Sequence, residues 1–324
     1  MLVSRLRSMR REGLFMEKIP IIVNPYSRKN RKTKGNSIDV FRKIGGELVD
    51  VRPTGTIEEL DAVAEDCRKK LVPYLAISGG DGTLHQVISR FINIYEPAPI
   101  PPVVILKDGT MNNISGTIRL KGDGYAILKR LLRAIGRGRP VDAVTRYTMK
   151  IGDRYCFLFG TGLTTNVLNA VYEGDKKDIP KVVRVMIKAF SDGIIRPDSS
   201  ALYKRLRAKV YFNGQEVPSN DLLGILAGTV EDVGMGFRPL NREMPDEPGF
   251  HVIATGVKPI VLARHIFTLA RGGTFEHPLH YDSHVRNLRI ASNEPFEYTM
   301  DGDIYFADRE LYVETGPAVT LVSV

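Results

Sequence analysis

The chain has only two cysteines, Cys67 and Cys156, among its 324 residues. They are far apart and in no metal-ligand spacing, which argues against a disulfide framework and fits a reducing compartment. Long hydrophobic runs are also missing. The best of them, Leu222-Leu223-Gly224-Ile225-Leu226-Ala227, is of strand length and far short of a bilayer crossing. Met1 to Arg11 carries Arg5, Arg7, Arg10 and Arg11 but no apolar segment, so it does not read as a secretory signal, and Met9 and Met16 are equally good starts. The expectation is a cytoplasmic protein, with peripheral attachment to the inner face of the plasma membrane as the membrane option. Several phosphate-handling signatures are absent too. There is no G-x-x-x-x-G-K-[ST] loop and no H-R-D loop, which excludes P-loop nucleotidases and protein kinases. Internal repeats and low-complexity segments are not evident.

What is present is ordinary in bulk. A hydrophobic content of 43% and a charged content of 26% describe a globular protein. The length favours two domains over one. A net charge of +9 favours anionic partners (nucleotide, nucleic acid or an acidic membrane surface) without choosing among them.

The most informative stretch is Ser78-Gly79-Gly80-Asp81-Gly82-Thr83, directly after the apolar run 74–77. Glycines let backbone N–H groups face an anion without an intervening Cβ, and they tolerate the positive φ such a turn often needs. Leu84 to Ile92 then spaces apolar residues like a helix, which sets a helix N-terminus against the same anion. A glycine-rich strand–helix turn without a ligand is the alternative reading. The loop lacks G-x-G-x-x-G spacing, which weakens a dinucleotide reading.

Around this loop the first half alternates strands and helices. Strands are expected at 19–23, 47–51, 74–77 and 103–106, and helical patterns run through Ile38 to Ile44, 57–71 and 125–135. That alternation predicts a parallel sheet with right-handed crossovers, in which ligands gather beyond the carboxyl ends of the strands. Asn24-Pro25, Thr54, Gly79 to Thr83 and Gly109-Thr110 all fall at strand ends. After Gly136-Arg137-Gly138-Arg139-Pro140 the pattern changes to short alternating segments. A hairpin signal sits at Asn213-Gly214, and helical spacing is seen only at 179–190 and 260–269. The fold class expected is an α/β N-terminal domain followed by a β-rich, sandwich-like second domain.

Four further features have more than one reading. Met300-Asp301-Gly302-Asp303 reads as a plain hairpin turn or as a pair of reacting acids. Arg28 to Lys34 reads as a solvated basic face or an anion patch. His277, His280 and His284 with Asp282 suggest a metal site, against which stand Pro278 and the preference of Mg²⁺ for oxygen ligands. The segment 179–190 either touches a membrane or packs its apolar face on the sheet.

Asn24-Pro25, Gly79-Gly80-Asp81-Gly82-Thr83, Gly109-Thr110-Met111-Asn112 and the acidic turn Asp301-Gly302-Asp303, in this order, resemble the diacylglycerol kinase catalytic-domain family. The family includes bacterial soluble lipid kinases, sphingosine kinases and ceramide kinases. The resemblance implies an ATP- and Mg²⁺-dependent enzyme that phosphorylates a lipid hydroxyl in a cleft between its two domains. It implies a basic tail at 1–17, a nucleotide-binding domain at 18–140 completed by a C-terminal strand at 312–324, and a lipid-substrate domain at 141–311. Nucleotide contacts carry over to Asn24, Pro25, Thr54, Gly79, Gly80, Asp81, Gly82, Thr83, Leu84, His85, Gln86, Thr110 and Asn112. The catalytic acids carry over to Asp303, in the position of the proton acceptor, with Asp301 and Asp81. Any of these three acids is a candidate for Mg²⁺.

The chain departs from the family pattern at His85-Gln86, Asn113, Thr164 and Asp303. At Asp246-Glu247-Pro248 a second acid that supports a structural Mg²⁺ in the bacterial kinases is replaced by proline. The partners implied are ATP and a lipid at an anionic membrane surface, with diacylglycerol as the default acceptor. A homodimer is left open, and no nucleic acid is expected. Two other readings are an NAD kinase-like enzyme, which also uses G-G-D-G-T, and a non-catalytic lipid- or nucleotide-binding regulator of the same fold.

Overall fold

The structure is a computed structural model that describes residues 17–26, 36–107, 114, 118, 120–173, 185, 191, 200–234, 236–240 and 247–324. The chain forms two compact units, one of residues 1–146 and 317–324 and one of residues 147–316.

The first unit is built on four strands, β1 (Ile19–Val23), β2 (Val49–Pro53), β3 (Leu75–Gly79) and β4 (Val103–Lys107), paired in parallel in the order β2-β1-β3-β4. β1 and β3 are buried along their whole length. That suits their largely apolar sequences, broken only by Ser78 in β3, since a parallel strand is covered on both faces. Helices α1 (Asn36–Gly45), α2 (Ile57–Lys70), α3 (Asp81–Tyr95) and α4 (Gly124–Gly136) supply the cover, α2 packing on α3 and α1 on α4. Phe41 of α1 meets Tyr125 of α4 with ring centroids 5.0 Å apart. Arg90 of α3 donates to Asp61 of α2 at 2.6 Å.

Local chemistry sets the helix ends. Thr56 and Glu59 form a reciprocal capping box at the start of α2, and Asp123 Oδ1 accepts the Ala126 N–H at 2.8 Å to start α4. Gly124 packs on β4, where a Cβ would stand 3.2 Å from the Leu106 backbone. β2 begins two residues later than its apolar pattern suggests. Gly46 takes φ +52 and Gly46–Leu48 makes a short 3₁₀ turn, so pairing with β1 starts at Ile19 with Val49.

The second unit is β-rich. Its strands are β5 (Asp142–Ile151), which enters from the first unit, β6 (Arg154–Cys156), β7 (Leu158–Gly162), β8 (Leu206–Phe212), β9 (Gln215–Glu216), β10 (Asp221–Leu222), β11 (Gly224–Gly228), β12 (Phe250–Thr255), β13 (His280–Val285), β14 (Asn287–Ser292), β15 (Phe296–Met300), β16 (Asp303–Ala307) and β17 (Glu310–Ser323). One sheet runs β13-β12-β11-β7-β15-β16, antiparallel throughout. In the other, β8 lies between β10 and β14, and β14 pairs with β17. Met149, Val210, Ile290 and Val313 from this sheet share one buried core with Phe159, Ile225, Phe250 and Met300 from the first, as in a sandwich. The end of β17 returns to the first unit, where Leu321 pairs with Val103 of β4 in parallel.

One element departs from the sequence reading. Residues 163–172 form a helix, α5 (Leu163–Tyr172), where helical spacing was expected only at 179–190 and 260–269. Its run of Thr, Asn and Val is a poor helix former, so propensity hides it. Gly162 starts it at φ +67, and a Cβ there would meet the Leu223 carbonyl at 2.6 Å. A further helix among the described residues, α6, is Pro259–Ala270. The segment 179–190 lies outside the described residues, apart from position 185.

Candidate active site

Parallel pairing brings the carboxyl ends of β1, β2 and β3 to one edge of the first unit. Asn24 follows β1 and ties the ends together. Its backbone N–H reaches the Ser78 carbonyl at 3.4 Å, and its Nδ2 donates to Thr83 Oγ1 at 3.2 Å. Its Oδ1 accepts the Tyr26 N–H at 2.9 Å across Pro25, a turn closed by the asparagine itself. Thr54, buried at the end of β2, donates its N–H to the Val23 carbonyl at 3.0 Å. Asn24, Pro25, Thr54 and Gly79 to Thr83 therefore share one edge, although more than fifty residues separate Asn24 from Thr83.

The glycine loop works by close approach and not by unusual backbone. Gly80 has φ −91, and neither Gly79 nor Gly82 is among the described glycines with positive φ. At Gly79 a Cβ would lie 2.5 Å from Thr83 Cβ. Only glycine lets α3 turn back so tightly that Thr83 meets Asn24. Gly79→Ala is expected to cost about 1–3 kcal/mol by overpacking, read as a lower urea midpoint, and to loosen the Asn24–Thr83 contact. The second unit repeats the device, since a Cβ on Gly160 would lie 2.7 Å from Thr164 Cβ.

Helix α3 starts with Gly80 as N-cap and has no side-chain cap, so its first N–H groups and the positive end of its dipole are presented at this edge. Asp81, Gly82, Thr83 and Gln86 are part-exposed, whereas Leu84 and His85 are buried in the interior side of the helix. Thr110, Asn112 and Asn113 lie outside the described residues, as do Arg28 to Lys34 and Asp246. Two residues here escaped the sequence reading as site candidates. Tyr26 is 63% exposed and its ring lies over Gly55, where a Cβ would meet it at 2.9 Å. Lys107, at the end of β4, donates to the Leu120 carbonyl, and burial lowers its pKa with Arg130 adding to the effect.

Asp301 and Asp303 belong to the second unit and occupy very different surroundings. β15 and β16 form a hairpin in which Met300 pairs with Asp303. Asp301 and Gly302 make the turn with φ +48 and +94, values that suit Asp followed by Gly. The Asp301 carboxylate is buried and accepts the Leu158 N–H at 2.8 Å and the Phe157 N–H at 3.1 Å. Its own N–H returns to the Leu158 carbonyl at 2.9 Å, and the Tyr172 hydroxyl donates to the Gly302 carbonyl. Asp303, two residues on, is exposed. Beside it Tyr305 is pushed up to about 12, by burial first and the Asp303 charge second, and Arg154 lies 4.4 Å over the Tyr305 ring. The turn is thus a hairpin, as its local sequence suggests, and one of its two acids is built into the core.

Five of the six histidines gather around β12, β13 and α6. His251 Nε2 bonds Asp282 Oδ1 at 2.7 Å, and Phe275 is stacked between His265 at 4.2 Å and His280 at 4.0 Å. His277, His280 and Asp282 line a cavity of about 560 Å³. Among the described residues no three His, Cys, Asp or Glu side chains are arranged to hold a metal ion. Both ring nitrogens of His280 and Nε2 of His284 are buried without a hydrogen-bond partner.

Burial is the main cause that lowers both rings below their ordinary pKa. At His280, Asp282 opposes it while His277 and His265 add to it; at His284, His251 and Arg286 add to it and Glu247 opposes it. A base with a lowered folded pKa leaves the unfolded chain holding more protons below the ordinary value of about 6.5. Stability is therefore expected to fall as pH drops through and below that value. Calorimetric melting between neutral and mildly acidic pH checks this, and His280→Phe, which keeps a ring on Phe275, is expected to flatten the slope.

Residues 18–145 match the family model described as diacylglycerol kinase catalytic domain. In fold, the whole chain is similar to a provisionally assigned diacylglycerol kinase from Bacillus anthracis str. Sterne. The TM-score is 0.69 at 15% identity, covering 95% of this chain and 97% of that one. A further structure described as a diacylglycerol kinase from the same organism gives a TM-score of 0.61 at 15% identity, with the same coverage. No curated protein matches the sequence significantly. Residues 18–145 are thus similar to a diacylglycerol kinase catalytic domain, and the chain as a whole shares the fold of these structures.

Proposed function

We propose that the chain is an ATP-dependent lipid kinase that transfers the γ-phosphate to a lipid hydroxyl, with diacylglycerol as the default acceptor. The observation that carries this reading is the uncapped start of α3, tied through Thr83 to Asn24 at the end of a parallel strand, within the segment matched by the diacylglycerol kinase catalytic domain. Backbone N–H groups and a helix dipole fixed at such an edge suit a nucleotide's phosphates. In the reaction the lipid oxygen forms a bond to the γ-phosphorus while the bond to the β-bridging oxygen breaks and ADP leaves. The hydroxyl proton passes to a carboxylate. Asp303 suits that role because it is exposed, while Asp301 spends its carboxylate on Phe157 and Leu158.

Mg²⁺ keeps several waters and takes one or two carboxylates beside phosphates. Asp81, at the start of α3, is the acid best placed for it in the first unit, with Asp303 the remaining candidate. When bound, the ion supplies positive charge to the phosphates.

The test is incubation with γ-labelled ATP, Mg²⁺, mixed micelles containing diacylglycerol, and NAD. Labelled lipid is the expected product. Label in NADP alone would place the chain with NAD kinases. Nucleotide binding with no labelled product would make it a regulator.

A further inference from the structure

Helix α6 (Pro259–Ala270) has the sequence PIVLARHIFTLA, which holds no acidic residue, yet Leu269 is its one buried side chain. In a helix that serves a core, such apolar residues vanish from the surface, as Ile127, Leu128 and Leu131 do in α4. Helical spacing sorts the exposed side of α6 into one stripe. Ile260, Arg264, Phe267 and Arg271 follow one another at intervals of four, three and four, so they share a face. Phe267 is 67% exposed, Arg264 and Arg271 are exposed, and Ile260 is half-buried. Lys258, exposed at the N-cap, adds a third cation, and the next acid along the chain is Glu276. The opposite side of the helix is spent on the protein, through Leu269 and through His265, which stacks on Phe275.

We propose that this stripe seats α6 in the headgroup region of an anionic bilayer. An aromatic and an aliphatic side chain flanked by arginines, on a helix free of acids, is the composition of an interfacial helix. The apolar groups partition into the acyl boundary while the guanidinium groups remain among lipid phosphates. A protein partner would bury the arginines against carboxylates and could bear acids nearby, whereas the absence of any acid from α6 suits a uniformly negative surface. The inference rests on the lipid-kinase reading for its choice of a bilayer, and it gives that enzyme a second-unit surface by which to reach its acceptor.

The chain contains no tryptophan, so Phe267→Trp in the full chain places a single reporter on the stripe. Its emission is expected to shift to the blue with vesicles of phosphatidylcholine and phosphatidylglycerol, and to stay unshifted with phosphatidylcholine alone. Arg264→Gln and Arg271→Gln are each expected to weaken vesicle binding roughly fivefold, and added salt is expected to weaken it further. Tyr312→Trp, at a 53% exposed strand position, is the control and should not shift. All four positions are on the surface, so unchanged thermal melting checks that each variant is folded.

No shift at Phe267→Trp with anionic vesicles would overturn the proposal, as would a shift that both arginine variants leave unchanged or that the control shares. A shift that grows with protein concentration without lipid would put a second copy of the chain on this face and also overturn it. The assay contains neither nucleotide nor acceptor lipid. Vesicle binding can therefore succeed where phosphoryl transfer fails, or fail where transfer to micellar acceptor succeeds.

Discussion

Asp303→Asn is expected to lower the rate of transfer to lipid by about 10²–10⁴-fold, with the melting temperature unchanged. The size of the effect follows from the proton: as the lipid oxygen bonds to phosphorus, its proton needs an acceptor, and asparagine of the same shape cannot take it. The small effect expected on stability follows from exposure, since Asp303 stands in solvent at the start of β16. Asp303→Glu keeps the charge and lengthens the arm by one methylene. It should retain measurable turnover, reduced or improved by the displacement of about 1 Å, a scale at which rates are sensitive. Lipid phosphorylation followed with labelled ATP checks both variants. Near-normal turnover in Asp303→Asn would remove this residue as the proton acceptor.

Two residues earlier the expected outcome is the reverse in kind. Asp301→Ala strips the partner from the buried Phe157 and Leu158 N–H groups. Each unpaired buried donor costs about 1–3 kcal/mol. Alanine is also strained at φ +48, where Asp and Asn are tolerated. A loss of about 3 kcal/mol or more is expected, read as a lower midpoint in urea. Asp301→Asn should be much milder, because Oδ1 alone accepts from both Leu158 at 2.8 Å and Phe157 at 3.1 Å, and the amide oxygen can stand in the same place. If Asp301→Asn stays folded yet loses turnover, the charge at 301 takes part in the chemistry, and the turn contributes two reacting acids in place of one.

These two variants separate what local pattern reveals from what it hides. Asp-Gly between two alternating strands announces a tight hairpin, and the turn is there, with Met300 opposite Asp303. Nothing within a few residues says that the first acid points into the core. Its partners are Phe157 and Leu158, more than 140 positions away in the chain, and only the pairing of β7 with β15 brings them near. The same division holds at the glycine loop. Strand, glycines and helix were legible from composition and spacing, but the positive φ expected of the loop is absent, and Gly79 is required by Thr83 and not by its own backbone. Helix α5 escaped notice because Thr, Asn and Val argue against it locally, while contacts with β7, β11 and β15 stabilise it.

The sequence by itself determined the alternation of buried parallel strands with helices in the first half, the shorter alternating strands of the second, and the turns at which chemistry could sit. These are readable because side chains repeat every 2 residues in a strand and every 3.6 in a helix, and because turn residues act within a few positions. Only the tertiary structure decided which polar groups are buried, which acid remains in solvent, and which helix keeps its apolar stripe on the surface. Burial is a property of neighbours far off in the chain. The approach of Asn24 to Thr83, the enclosure of Asp301 and the exposure of Phe267 all depend on how the sheets are paired.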